Sequence, residues 1–294
     1  MSAAAPPVEA SGSVDAGVGQ VRRELLHELL KSKSFLIGAV IVLFWVLCAL
    51  LGGVFAPHDP LAQNLLGVNK RPSGAHVFGT DQLGRDVLSR VIVGARSILI
   101  IAPLATLLGT VLGTALGLMM GYLSGWTDTV ASRIVEAVLA LPVVIVAFLF
   151  VVALGPSTRT LIVVIGFVFT PLIARTVRSG VLSERELDYV AAARLRGEGA
   201  PYIMFVEILP NVLQPIMVEF TVRLGYAIFA VATLSFLGFG IQQPTPDWGG
   251  DISVNYGLIT AGYWWETLFP AIAIASLVVA VNLIADAISG VLEA

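Results

Sequence analysis

The feature that most limits what this chain can fold into is a set of long intervals without a charge. Residues 34–57 contain no Asp, Glu, Lys, Arg or His, and the same holds for 97–127, 137–158, 160–174 and 267–285. A helix needs about 20 apolar residues to cross a bilayer. Interval 160–174 reaches that length when Arg175 and Arg178 snorkel to the interface at its end. A further apolar stretch, 212–236, is broken only by Glu219 and Arg223. The runs are too continuous for membrane strands, which alternate. The sequence therefore predicts an all-α integral membrane protein with six transmembrane helices. Composition agrees: 57% of residues are apolar and 13% charged, against roughly 25% charged in soluble domains. The 294 residues have room for six spans and their loops, not for a separate catalytic domain as well. A net charge of −3 gives no electrostatic case for nucleic acid, and the single Cys48 allows neither an intrachain disulfide nor a cysteine metal cluster.

Arg22, Arg23, Lys31 and Lys33 flank the first span on one side, while 57–69 holds no Lys or Arg. The positive-inside rule then puts the N-terminus, and after six spans the C-terminus, in the cytoplasm. Residues 1–20 read as a disordered tail and 21–33 as an interfacial amphipathic helix with Leu25, Leu26, Leu29 and Leu30 on one face. The first span, 34–57, reads as an uncleaved anchor, being too long and too far from the start for a signal peptide. An outer loop over 58–96 carries a short helix, capped by Thr80 or Asp81, with Leu83, Val87 and Val91 on its apolar side and Arg85 and Asp86 on its polar side. The remaining five spans fall in 97–286, and 287–294 reads as a tail.

Gly109, Gly113, Gly117, Gly121 and Gly125 recur at four-residue spacing on one side of the second span. Such a stripe admits another helix backbone, from this chain or from a partner. Glu219 and Arg223 are placed for an intrahelical ion pair, with Glu first. Either a structural pair between helices or the lining of a water-filled path fits them. The inner loop 182–211 is long, helical and partly apolar. Ser183 and Glu186 fit a capping box, Gly197 and Gly199 stop the helix, and Pro201 can open another that ends near Leu209-Pro210. Two short helices at a sharp turn make a knob suited to dock into something. His58 and His76 stand apart in the sequence, so no metal site is expected.

The segment Ala191-Ala192-Ala193, Gly197, Glu207 and Leu209-Pro210 resembles the cytoplasmic signature of the permease subunits of type I ABC importers, with Ala191 in place of a Glu and Glu207 in place of an Ile. Phe55-Ala56-Pro57-His58-Asp59-Pro60, Gly79 to Asp86, Leu234 to Gly240 and Pro244 to Gly249 resemble the dipeptide/oligopeptide branch, its second permease in particular. The resemblance implies the type I permease fold. It also implies a second homologous permease, cytoplasmic ATP-binding subunits, an extracytoplasmic substrate-binding protein and residence in a bacterial inner membrane. Tyr189, Ala191, Ala192, Ala193, Gly197, Leu209 and Pro210 would contact the ATPase. Haem, a nickel complex or glutathione is the alternative cargo. No Lys sits in a Walker A loop, so ATP hydrolysis falls to partners, and no cofactor is expected. An ion-coupled carrier would need an intramembrane acid; only Glu219 qualifies, and Arg223 neutralises it.

Overall fold

A computed structural model describes residues 27–292 and, among them, an all-helical architecture. The elements are α1 (Lys33–Phe55), α2 (Val87–Leu123), α3 (Gly125–Leu139), α4 (Val143–Leu154), α5 (Thr158–Glu184), α6 (Asp188–Leu195), α7 (Leu213–Phe236), α8 (Trp248–Asn255) and α9 (Trp265–Leu292). Five helical stretches are long and apolar enough to cross a membrane: α1, α2, α5, α9 and the helical run 200–236 that includes α7. The bent pair α3 and α4 makes a sixth when counted as one span. The chain is thus a multi-pass membrane protein. Its outward apolar side chains, such as Leu50, Val54, Val111 and Leu149, are exposed as hydrocarbon as solvent requires.

The third span is not one straight helix. α3 and α4 meet at 89° across Ala140-Leu141-Pro142. Pro142 lacks an N–H and disfavours a helical residue before it, so the helix breaks there and restarts with Pro142 as the N-cap of α4. The N-terminal tail predicted for 1–20 and most of the predicted interfacial helix lie outside the described residues. Residues 27–31 are helical, and Ser32 then interrupts the chain and caps α1 by accepting the Phe35 N–H. At the other end α9 runs on to Leu292, so the described part of the predicted tail is helix.

The most extensive helix pairing is between α2 and α5. A Cβ on Gly109 would come within 2.8 Å of the Gly166 carbonyl oxygen; on Gly113, 2.7 Å of Ile173 Cβ; on Gly117, 2.7 Å of the Ala174 oxygen; on Gly121, 2.6 Å of Val181 Cβ. The stripe's contact is therefore within the chain. Gly125 does not share it: it lies past the end of α2, at φ +64° and in open space. α1, α7 and α9 pack around this pair, and the core runs along the seams through Ile98, Ile165, Ile228 and Leu277.

Candidate functional site

The loop between α5 and α7 folds as a helical hairpin. α5 continues to Glu184, ten residues beyond its charge-free interval, and Ser183 lies inside its last turn. The predicted Ser183–Glu186 capping box does not form; α6 starts at Asp188 behind Leu187, without a side-chain cap. Asp188 in the first turn and Arg194 in the last complement the helix dipole. The helix stops in a Schellman arrangement. Gly197 takes φ +83°, its N–H donates to Arg194 O at 3.0 Å, and the Glu198 N–H donates to Ala193 O at 3.2 Å. Gly199 and Pro201 open the return arm. That arm does not end at Leu209-Pro210, as the sequence suggests. It passes through a π-helical turn, Ile203–Ile208, and a 3-10 turn, Leu209–Val212, straight into α7. Pro210 and Val212 therefore mark a change of helical pitch, not an end.

The hairpin has an inner and an outer face. Val190 and Ala193 on α6 are buried and share the core with Ile203 and Ile208 of the return arm. Tyr189 sits half-buried with its hydroxyl donating to Glu184 Oε2 at 2.7 Å; burial and the Glu184 carboxylate push its pKa up to about 12. Arg196 closes the two arms through Glu207 Oε1 at 2.7 Å. Facing away from the protein are Ala191, Ala192 and a run of large apolar groups: Leu187, Phe205, Val206 and above all Leu195, which is 90% exposed. Together they give the hairpin an exposed apolar face.

Two ties fasten the hairpin to α2, and a third joins the helix it grows from to α3. Arg194 lies over the Tyr122 ring of α2 at 5.2 Å. Arg185 donates to the Gly121 carbonyl of α2 at 3.0 Å. Arg178 of α5 grips Asp128 of α3 through Nε and Nη2 at 2.6 and 2.7 Å, a bidentate pair. The hairpin is thus held directly to α2, and α5, from which it emerges, is held to α3.

Glu219 and Arg223 do pair, with Nε to Oε1 at 2.6 Å, and Arg223 also stands 5.5 Å from the Tyr226 ring centroid. Both side chains are partly buried on α7. Beside them Tyr226 and Phe229 present exposed aromatic faces next to a hollow of about 350 Å³ that Val222, Asn282 and Asp286 also line.

At the opposite end of the bundle, the loop 56–86 and α8 form a polar cap that the sequence reading misplaced. No helix is capped at Thr80 or Asp81. Asp81 instead accepts the Leu83 and Arg85 N–H groups, each at 2.9 Å, and Gly84 completes the turn. That turn points Arg85 inward, onto Asp81 and Gln243. Asp86 is the N-cap of α2, accepting from Ser89 N at 2.8 Å. Arg85 and Asp86 are thus buried, not solvated. Arg90, equally buried, meets Asp251 of α8. Trp248 donates to Val91 O at 2.8 Å and Trp265 to Thr80 O at 3.1 Å, pinning the cap to α2 and α9.

His58 and His76, which stand apart in the sequence, are brought together here. Their rings lie 4.6 Å apart, both beside Asp86.

Residues 113–294 match the family described as the binding-protein-dependent transport system inner membrane component, and residues 21–72 match the N-terminal TM domain of oligopeptide transport permease C. The chain is similar to the dipeptide transport system permease protein DppC of Escherichia coli, at 39% identity over 92% of each chain. It is likewise similar to that of Bacillus subtilis, at 37% identity over 91% of this chain and 83% of the relative. The corresponding protein of Alkalihalophilus pseudofirmus is 36% identical over 92% of this chain and 89% of its own. Matches of this extent, on a multi-pass helical fold with an apolar-faced hairpin, place the chain in the binding-protein-dependent inner-membrane permease family, among the DppC- and OppC-like permease subunits of ABC importers.

Proposed function

We propose that the chain forms half of the import path for dipeptides or short oligopeptides, paired with a second homologous permease. In this reading an extracytoplasmic binding protein delivers cargo to the capped end. Cytoplasmic ATP-hydrolysing subunits receive the hairpin, so both termini face the cytoplasm, in line with the basic residues before α1. The observation that carries the reading is the hairpin itself. Its apolar face, led by Leu195, is bare, while Arg194 and Arg185 tie it to α2 and it grows from α5, itself tied to α3. A surface of this kind converts a push from a docked partner into movement of the spans. Tyr189, Ala191, Ala192, Ala193, Gly197, Leu209 and Pro210 build or shape that docking face. Glu219 and Arg223, beside the exposed aromatics of α7, border the path. The chain holds no phosphate-binding loop of the Walker type, so its part is passive until nucleotide acts on the partners.

The test is a Leu195→Asp substitution in the assembled transporter. It adds a charge at a fully solvated position and leaves the fold alone. Uptake of a labelled dipeptide should fall at least about tenfold, with loss of the ATPase subunit from the detergent-purified complex, because a charge facing an apolar cleft is left desolvated and unpaired. Unchanged uptake with the ATPase still bound would remove the hairpin from the coupling role.

A further inference from the structure

We propose that His58, His76 and Asp86 form a binding site for a borderline transition-metal cation such as Zn²⁺ on the outer cap. The three ligand atoms, one from each residue, lie within 4.8 Å of one another. His76 Nδ1 is 2.8 Å from Asp86 Oδ1, and His58 Nδ1 is 3.5 Å from the same oxygen. Tetrahedral zinc with bonds of about 2.0–2.2 Å sets its ligand atoms about 3.4 Å apart. The His58 spacing already fits, and the His76 spacing must open by about half an ångström. Two imidazole nitrogens and one carboxylate oxygen suit Zn²⁺, Co²⁺ or Ni²⁺ and not the all-oxygen preference of Mg²⁺ or Ca²⁺.

The surroundings hold the donors in place. Asp86 turns its other oxygen to Ser89, accepting from Ser89 N at 2.8 Å and Oγ at 2.7 Å, which leaves Oδ1 facing the histidines. The same Ser89 hydroxyl accepts the His58 N–H at 3.1 Å. His76 is fixed by its own carbonyl, which accepts from Ser73 N and Gly79 N, at 2.8 and 2.9 Å. The Ser89 bonds orient the Asp86 carboxylate as outer hydrogen bonds orient metal ligands, and the backbone bonds of His58 and His76 hold their segments beside it. His58 is 43% exposed, so a fourth position stays open to solvent and ions can enter. A bound ion would join the exit of α1, the middle of the loop and the first turn of α2. That is a clamp on the cap, separate from the hairpin and independent of the cargo.

The chain has only three histidines, which makes the test clean. The purified full-length permease, with any affinity tag removed, is titrated with Zn²⁺ alone by calorimetry and with Co²⁺ by visible absorption. One ion per chain should bind at micromolar concentration or tighter, with the intense absorption of low-symmetry four-coordinate Co²⁺. Zn²⁺ should also raise the melting temperature. His58→Ala and His76→Ala should each weaken binding about tenfold or more, whereas His27→Ala, on the turn before α1, should change nothing. Apo melting curves check folding, and should His76→Ala fail to fold, the more exposed His58→Ala carries the test. No Zn²⁺ binding at micromolar concentration would overturn the proposal and leave the cluster a hydrogen-bonded staple. So would binding that survives loss of both histidines.

Discussion

Arg90 and Asp251, 161 residues apart, close on each other inside the polar cap, with Nη2 to Oδ1 at 2.5 Å and Nε to the two carboxylate oxygens at 3.2 and 3.1 Å. They are 2% and 4% exposed. Arg90 also donates to the carbonyls of Pro60 and Pro244, at 3.1 and 3.3 Å, so one guanidinium ties α2 to three other segments. Arg90→Ala or Asp251→Ala strands a buried charge and should cost about 3–5 kcal/mol. Arg90→Lys should not restore it, since an ammonium cannot span both oxygens and the carbonyls. Thermal melting of the detergent-purified chain reads both outcomes.

The α2–α5 seam should be intolerant of added volume. Gly117→Val places new atoms where a Cβ is already 2.7 Å from Val177 Cβ and from the Ala174 oxygen. Loss of about 1–3 kcal/mol or more is expected, with the two helices forced apart. Gly53→Ala on α1, where nothing lies within 4 Å, should be neutral or slightly stabilising. Melting temperatures of the two variants distinguish a seam from a mere abundance of glycine.

Gly197→Ala puts a side chain at φ +83° in open space, so the penalty is purely conformational. It should be roughly 1–2 kcal/mol and confined to the hairpin. Hydrogen exchange should quicken at the Gly197 and Glu198 amides, which close the end of α6, while the α2–α5 core stays protected.

Asp247, the N-cap of α8, is buried, and burial pushes its pKa up to about 6 from an ordinary 3.8. The folded state thus binds its proton more tightly than the unfolded state. This contribution is fully present below about pH 4 and is lost as pH rises through about 6. Asn can also accept the Gly250 N–H, now made at 2.9 Å, without ionising. Asp247→Asn should therefore gain stability relative to the native chain between about pH 4 and 7, by up to about 3 kcal/mol. Melting curves of both chains across that range should show the gap widening with pH; a gap that does not change with pH would clear the carboxyl.

Glu219→Gln and Arg223→Gln should each be more harmful to insertion and uptake than the double substitution, because each alone leaves one partly buried charge unpaired within α7. A double-mutant cycle gives the coupling directly.

Much of this architecture is written in the sequence because hydrocarbon is a demanding solvent. An interval such as 34–57 with no charge can do little but span, and it emerges as α1. Gly197 and Pro201 likewise mark the hairpin through rules that act within a few residues. What stayed hidden depended on distant partners. A helical wheel drawn from Thr80 sets Arg85 and Asp86 toward water, whereas the Asp81 turn and the arrival of Gln243 draw Arg85 inside. Ser183 loses its capping role because α5, anchored by the buried Val181, continues past it. His58 and His76 meet only when the loop between them closes over Asp86, which no local pattern announces.

The length of α2 has a mechanical result. Its 37 residues extend for about 55 Å, well beyond a hydrocarbon layer of about 30 Å. One tip carries Tyr122 under Arg194, and the other carries Arg90 under Asp251. A tilt of about 10° around its midpoint swings each tip by about 5 Å in opposite senses. Were α2 to move as one body despite Pro103 near its middle, a load on the hairpin would reach the far rim with its direction reversed.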